Sequence, residues 1–328
     1  MAKVAIGLEV SPNGVRAARV RGDKGSVTLE LLAEEPLVPG IVVPGGVSDA
    51  QALTDAVKGL WSKHKLGQKS VVLGIAGPRV VVRPASIPLM PSKDVRAALP
   101  LYVAEMPSIE VAESVLDYVI NGESLDDDGK RQFDGLLVAT TVAPLEEFID
   151  AIQAAKVGVQ SVDLTAFGVL RAMVPPMQPG YRVVEAVVSI GSQSTQVIVH
   201  ENRRPALVRD LAVGADVVVD ALSHVDLNSM AATQQALDPL VTQISETVGF
   251  YETGEGAQTP NRVLVTGSGS MLPGLEYAMG SALGAPVVRD AAWLTMQRDP
   301  KTVTNEMMRA FASRMTAAVG LALGAVAP

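Results

Sequence analysis

The sequence predicts a duplicated α/β fold whose two halves meet at a cleft, and three observations carry that prediction. Residues 6–16 (Ile-Gly-Leu-Glu-Val-Ser-Pro-Asn-Gly-Val-Arg) and 187–197 (Val-Val-Ser-Ile-Gly-Ser-Gln-Ser-Thr-Gln-Val) lie about 180 residues apart and share one plan. Each is a β-rich run, a few small turn-forming residues and a second β-rich run. That is a hairpin whose tight loop can turn its N–H groups toward an anion. The third observation is Thr266-Gly267-Ser268-Gly269-Ser270, a Gly-rich turn between an apolar run at 263–265 and a helix-like segment. One such turn reports only local geometry. Their order and spacing point to a nucleotide-type cleft.

The first half opens with strands at 3–10, 15–21 and 26–34, the last two separated by turn residues 22–25. A Pro/Gly-rich loop at 36–46 leads to a helix over 48–65. Ser48 is placed as its N-cap, and Leu53, Val57, Leu60 and Trp61 recur at helical spacing. The run 71–75 is apolar on both faces, as a strand covered by helices on each side requires.

From 83 to 164 the texture changes. Pro84, Pro88, Pro91, Pro100 and Pro107 punctuate its start, and Pro100 should kink or shorten a helix that begins near Ser92 and covers 95–104. Strands at 114–120 and 135–142 bracket Asp126-Asp127-Asp128, read as a solvated hairpin tip. A helix over 144–156 and a short strand over 157–164 close what reads as a small α+β insert.

After a linker at 175–180, strands at 183–190, 195–200 and 206–211 mirror the opening. Helices at 215–222 and 229–253, a strand at 262–266, a helix at 272–283 and a terminal helix from about 303 complete the chain. The expected division is 1–82 as the first half, 83–164 as the insert and 214–253 as a short helical subdomain. Residues 165–213 with 254–328 form the second half, with some return to the first. This is the layout of an actin-like (ribonuclease H-like) duplicated fold.

Composition narrows the function. A chain with 48% hydrophobic and 19% charged residues is globular, and a 4% aromatic share leaves a core of Val, Ala and Leu suited to layered α/β packing. The absence of cysteine excludes disulfides and thiolate metal sites, which suits a reducing compartment. A net charge of −8 with no clustered Lys and Arg argues against nucleic-acid binding. No run reaches the roughly 18 apolar residues of a spanning helix. The strand beginning at Val4 leaves no length for a signal peptide. The uncharged segment 315–328 lacks the basic face of an interfacial anchor. It is expected to be a buried helix using small residues for close approach, with no direct membrane insertion.

An actin-type site needs backbone amides around phosphates and carboxylates that place a metal and water. Glu9, at the end of the first strand, stands where such a carboxylate belongs. Ser11, Asn13 and Gly14 supply the turn, although Pro12 donates no N–H. The corresponding position in the second hairpin is Ser189, which is not acidic. Gly191, Ser194 and Thr195 can donate there through backbone and hydroxyl. Gly267, Ser268 and Gly269 would let a sugar and base approach the backbone. Arg16 and Gly214 complete the candidate nucleotide-binding set. The missing second carboxylate argues against efficient hydrolysis. His64, His200 and His224 have no ligand spacing, and no Gly-x-Ser-x-Gly elbow or Walker-type loop occurs. Met307, Met308 and Met315 read as core filler.

These residues resemble the PilM family of type IV pilus assembly proteins, actin-like proteins related in fold to the cell-division protein FtsA. Ile6-Gly7-Leu8-Glu9-Val10 is similar to the family's opening strand. Val-Val-Leu-Gly-Ile-Ala at 71–76 and Pro-Leu-Met-Pro at 88–91 are similar to the approach to its inserted subdomain. Residues 135–139 and 162–171 resemble that subdomain's end and exit, 265–275 the adenosine-side turn, and 318–323 the closing helix. The resemblance implies four subdomains, a cytoplasmic protein at the inner face of the cytoplasmic membrane, and ATP between the halves, with Glu9 reaching a nucleotide-bound Mg. It also implies a channel near the insert that accepts the N-terminal peptide of PilN, a single-pass membrane protein, alongside other pilus inner-membrane components.

Where the family's first-loop Asp and Gly stand, this chain has Glu9 and Ser11, and Ser189 replaces the second-loop Asp. Weak ATP binding is therefore expected. The peptide is expected on the Pro-punctuated start of the insert, at Arg83, Ile87 and Leu89. Two further readings stay open: an FtsA-like polymerising ATPase, which requires a C-terminal amphipathic anchor, and a small-molecule kinase of the actin superfold, which requires a base carboxylate and a substrate pocket.

Overall fold

The computed structural model describes residues 2–326 except 24, 68–69, 105, 107–108, 177–179, 181, 225–229, 255 and 290. Pro107, the middle of the linker at 177–179 and the expected helix start at Ser229 lie outside the described residues.

The chain begins with a meander, β1 (Lys3–Ser11), β2 (Gly14–Asp23) and β3 (Ser26–Pro36), followed by a tiny hairpin, β4 (Val42–Val43) and β5 (Gly46–Val47). Helix α1 (Ala50–His64) crosses to β6 (Ser70–Ile75), which lies parallel to β1. The helix is capped by Asp49, not Ser48: Asp49 Oδ1 accepts from Ala52 N at 2.9 Å. It ends where Lys65 turns left-handed at φ 51.

Next come β7 (Val80–Pro88), α2 (Ser92–Val103), β8 (Ser114–Leu125) and β9 (Arg131–Thr141). These strands form a separate antiparallel sheet, ordered β7-β9-β8, that packs its own core of Ile87, Val95, Leu99, Tyr118 and Phe133. The buried Tyr118 hydroxyl donates within this sheet, with the Ala85 and Phe133 carbonyls at 2.6 and 3.0 Å, and burial pushes its pKa up to about 12. The acidic tip sits between β8 and β9, where Asp126 Oδ1 accepts from Asp128 N and Lys130 N. Pro100 does not shorten α2. It lies on the exposed face with Arg96, whose carbonyl it leaves without a helical partner.

The insert ends earlier than the sequence suggested. Helix α3 (Val142–Ala154) and β10 (Gly158–Leu164) belong to the first half: α3 buries Ala151 and Ile152 with Leu53 and Leu60 of α1, and β10 lies parallel to β6. The insert therefore lies within the connection between the parallel strands β6 and β10, and α3 returns the chain to the first sheet. At the other end, β7 runs through the Pro-punctuated start of the insert, where the sequence analysis placed no strand. As an edge strand it tolerates Pro84 and Pro88.

An unanticipated helix, α4 (Thr165–Met173), leads into the second half. There β11 (Val184–Ile190), β12 (Thr195–Glu201) and β13 (Arg204–Leu211) form a second meander, and β14 (Arg262–Thr266) and β15 (Val287–Val288) lie parallel beside β11. Helices α5 (Ala215–Ser223), α6 (Met230–Glu252) and α7 (Leu275–Leu283) cover its outer face. The stretch 214–253 is not a unit with its own core, because Val218, Leu237, Leu240 and Ile244 pack directly on Val188 and Val197. The chain then returns to the first sheet through β16 (Gln297–Arg298) and α8 (Asn305–Val326).

The two sheets are ordered β10-β6-β1-β2-β3-β16 and β13-β12-β11-β14-β15: five strands of the first repeat the order of the second, and β16 is added at the edge. Between them lies a layer of two helices, α4 and α8, whose core takes Ala5 and Ala18 from one sheet and Val187 and Ile198 from the other. The Ala/Gly-rich end of the chain is thus a buried helix, as its small residues suggested. A Cβ on Gly320 would lie 1.7 Å from the Gly168 carbonyl oxygen, and one on Gly7 2.1 Å from that of Ala318. Gly320→Ala is therefore expected to cost at least about 1–3 kcal/mol in chemical denaturation, the usual range for overpacking. Gly249→Ala on α6, where a Cβ meets nothing within 4 Å, should be stabilising by up to about 1 kcal/mol.

Candidate functional site

The ladder register lays two matched rows across the sheets. Gly74, Glu9, Arg16 and Glu34 are successive partners on β6, β1, β2 and β3. Thr266, Ser189, Gln196 and Asp210 are successive partners on β14, β11, β12 and β13. Side chains alternate along a strand, so Glu9 shares a face with Ala5, and Ser189 with Val187; both neighbours point into the central core. The two rows therefore face each other where the halves meet. Both hairpin tips, with Gly267 and Ser268, line one cleft.

Arg16 fills the first hairpin. Its guanidinium is almost wholly buried: Nε donates to Glu34 Oε1 at 2.8 Å, Nη1 to Ser11 Oγ at 2.9 Å and Nη2 to Asn13 Oδ1 at 2.8 Å. The other Glu34 oxygen accepts from Arg314 Nε of α8, also at 2.8 Å. Glu9 approaches Arg16 Nη1 only to 3.8 Å, and its enclosed Oε2 has no hydrogen-bond partner. Burial raises the Glu9 pKa, and Arg16 opposes that rise without cancelling it.

Of the candidate residues, Glu9, Ser11, Asn13, Arg16, Gly191, Ser194, Gly267 and Ser268 line this cleft, whereas Gly14, Thr195, Gly214 and Gly269 do not. Thr195 is buried and donates from Oγ1 to the Val213 carbonyl. The glycines answer to packing rather than to open space for a sugar. A Cβ on Gly267, at φ 91, would meet the Ile190 carbonyl oxygen at 2.3 Å, one on Gly269 the Ile190 side chain at 2.3 Å, and one on Gly214 the Ser192 carbonyl oxygen at 2.3 Å. Nor does a metal fit at Glu9. Glu34 is committed to Arg16 and Arg314, Glu9 stands beside the Arg16 cation, and Ser189 offers no carboxylate. The described residues hold no group of three acidic or histidine side chains suited to a metal.

Sequence reasoning missed Glu34, Arg314, Gln196 and Asp210. The signal for Asp210 is its register: it stands to Gln196 as Glu34 stands to Arg16, which only the paired strands reveal. Asp210 Oδ2 accepts from Gly77 N of the first half at 2.7 Å, and Oδ1 is buried without a partner. Burial raises the Asp210 pKa against the opposing effects of Gly77 and Gln196.

Residues 7–236 match the family model described as type IV pilus assembly protein PilM. The chain belongs to the PilM family. Among solved structures it is similar to a PilM–PilN type IV pilus biogenesis complex, at 24% identity and TM-score 0.80, over 99% of this chain and 99% of that one. Similarity extends to a nucleotide-free diol dehydratase-reactivating factor (9% identity, TM-score 0.56, covering 98% and 99%). MreB5 of Spiroplasma citri bound to ADP also matches (12% identity, TM-score 0.50, covering 89% and 92%). The fold of this PilM-family chain is the actin-like duplicated α/β fold.

A second concavity runs between β7 of the insert and β13 of the second half, lined by Val80, Arg83, Pro84, Leu207, Arg209 and Phe250. Both strands are sheet edges, and Arg209 stacks over Phe250 with its guanidinium carbon 4.9 Å from the ring centroid. Asn121 Nδ2 spans from the insert to the Pro205 carbonyl at 2.6 Å. Of the three expected peptide contacts, only Arg83 lines this groove. Leu89 lies outside it, and Ile87 is 1% exposed in the insert's core, where no peptide reaches it. Arg83 and Ile87 share one face of β7 and differ in position along it: Ile87 packs under α2 against Val95 and Leu99, whereas Arg83 lies beside β13.

A carboxyl with a raised folded-state pKa takes up protons on folding, so its contribution to stability falls as pH rises through the folded value. Asp210→Asn is accordingly expected to raise the melting temperature at neutral pH. The gain should shrink as pH falls toward the ordinary Asp value of 3.8. Melting curves of variant and wild type across pH check this, and a variant less stable at pH 7 would overturn the expectation.

Proposed function

We propose that this PilM-family chain is a cytoplasmic adaptor of a type IV pilus inner-membrane complex. In this reading it binds the N-terminal cytoplasmic peptide of a PilN-like membrane protein and is held at the inner face of the membrane through such partners. The observation that carries the reading is family membership combined with an open groove between two unpaired strand edges. An extended peptide can add to a free edge while its side chains seat on apolar walls. Pro84 and Pro88 remove donors from β7, which leaves the β13 edge as the better ladder. The solved relative pairs PilM with PilN, and the match along the whole of both chains supports carrying that partner over.

Nucleotide has a reduced place in this reading. The first hairpin's hydroxyl and carboxamide are engaged by Arg16, and Glu34, the second carboxylate near Glu9, is committed to Arg16 and Arg314. ATP turnover is expected to stay below about 1 per second, under the ordinary enzyme range, in a coupled phosphate-release assay. The polymerising alternative finds no support in α8, whose residues from Met315 to Ala322 are buried between the sheets.

Calorimetry with a PilN-like N-terminal peptide of ten to fifteen residues tests the adaptor reading. So small a ligand should bind in the micromolar range, about −8 kcal/mol. Arg83→Glu and Phe250→Ala are each expected to weaken binding about tenfold (~1.4 kcal/mol). Leu101→Ser, on exposed α2 outside the groove, should not. Wild-type protein that binds no such peptide would overturn the adaptor reading; binding that ignores both groove variants would move the site elsewhere.

A further inference from the structure

The cleft between the halves keeps the outline of a phosphate site without its metal chemistry, and Arg16 accounts for the difference. Glu34, Ser11 and Asn13 fix its guanidinium, with Glu9 on a further side at 3.8 Å. The two polar side chains of the first hairpin turn inward to accept from that cation. A second guanidinium, Arg314, reaches the same cleft from α8 and shares Glu34. In the second hairpin, Ser192 and Gln193 also line the cleft, and their backbone N–H groups have no partner among the described residues. Two fixed cations and two free amides thus converge on one space.

We propose that Arg16 takes the place of a divalent cation: the cleft holds the polyphosphate of a nucleotide weakly and without metal, with countercharge from Arg16 and Arg314. Two features support this assignment. A buried guanidinium cannot lose its proton, and its planar fork suits phosphate oxygens. A metal ion at Glu9 would sit against that guanidinium at close range in a poorly solvated site, where like charges repel strongly. Glu9 and Glu34 offset much of the positive charge, which keeps the attraction for phosphate weak. The proposal deepens the nucleotide part of the function proposed above and rests on it; the peptide groove is separate.

The test is calorimetric titration of the full chain with ATP, in excess Mg and again in EDTA. Wild-type affinities in the two conditions are expected to agree within about twofold. Arg314→Gln, whose side chain is partly exposed and whose loss the fold should bear, is expected to weaken binding about fivefold or more in both. Arg16→Ala removes the cation from between Glu9 and Glu34 and is expected to make binding depend on Mg, a change that loss of packing alone would not produce. If that variant fails to fold, Arg16→Lys serves instead. Its point charge cannot span Glu34, Ser11 and Asn13 together, and it should show partial Mg dependence.

Three results would overturn the proposal: wild-type affinity falling about tenfold or more in EDTA, no ATP binding in either condition, or affinity and Mg dependence unchanged in both Arg314→Gln and the folded Arg16 variant. Because peptide calorimetry is scored independently, failure here is distinguishable from failure of the adaptor reading.

Discussion

Backbone contact between α4 and α8 at Gly168 and Gly320 governs the spacing of the whole molecule. With no Cβ at these positions the two helices nearly touch, and Gly7 and Gly74 let the same pair settle onto the first sheet. The middle layer is therefore thin enough for both sheets to share one core. The same helix anchors the other half: the Ser313 carbonyl accepts from Gly267 N and from Thr266 Oγ1 at 2.9 and 3.0 Å. Because α8 is held from both sides, Arg314 sits at a fixed distance from Glu34, and the cleft takes its dimensions from the glycine crossing. Close packing transmits such constraints without slack.

Across that cleft the two copies of the motif have diverged in charge while keeping their register. Glu9, Arg16 and Glu34 on one side correspond to Ser189, Gln196 and Asp210 on the other. The first copy has become a self-neutralising ion network; the second has become a neutral amide beside a carboxyl with a raised pKa. Taking one partner from a buried network leaves an uncompensated charge, so each half of this arrangement constrains the other. A cleft organised this way suits holding a shape more than carrying out hydrolysis.

Asp210 also joins the two concavities. Its Oδ2 holds Gly77 of the first half, Gly77 and Gln196 line both spaces, and β13 continues from Asp210 along the groove beside the insert. The insert's own sheet keeps its apolar face inward on Ile87, Leu99 and Phe133, and of its two edges it is β7 that lies beside the groove and β13. Prolines on that edge limit indiscriminate strand pairing.

Local patterns by themselves determined much of this protein. Alternating apolar runs bounded by Gly and Pro located the strands of both meanders. The repeated hairpins announced the duplication, and the small residues at 315–328 led to the expectation of a buried helix; each of these signals is carried by residues a few positions apart. Only the tertiary structure decided the rest, because the deciding contacts join residues far apart in the chain. Helix α3 and β10 read as part of the insert until parallel pairing with β6 placed them in the first sheet. Ile87 belongs to the Pro-punctuated stretch expected to meet a peptide, yet packing under α2 against Val95 and Leu99 takes it into the insert's core. Arg16 resembled one more residue of a phosphate loop, and its meaning depended on Glu34, 18 positions away, and on Arg314 from the far end of the chain. A sequence records which groups can ionise or pack; which of them meet is settled by sheet register and by how closely two glycines let two helices approach.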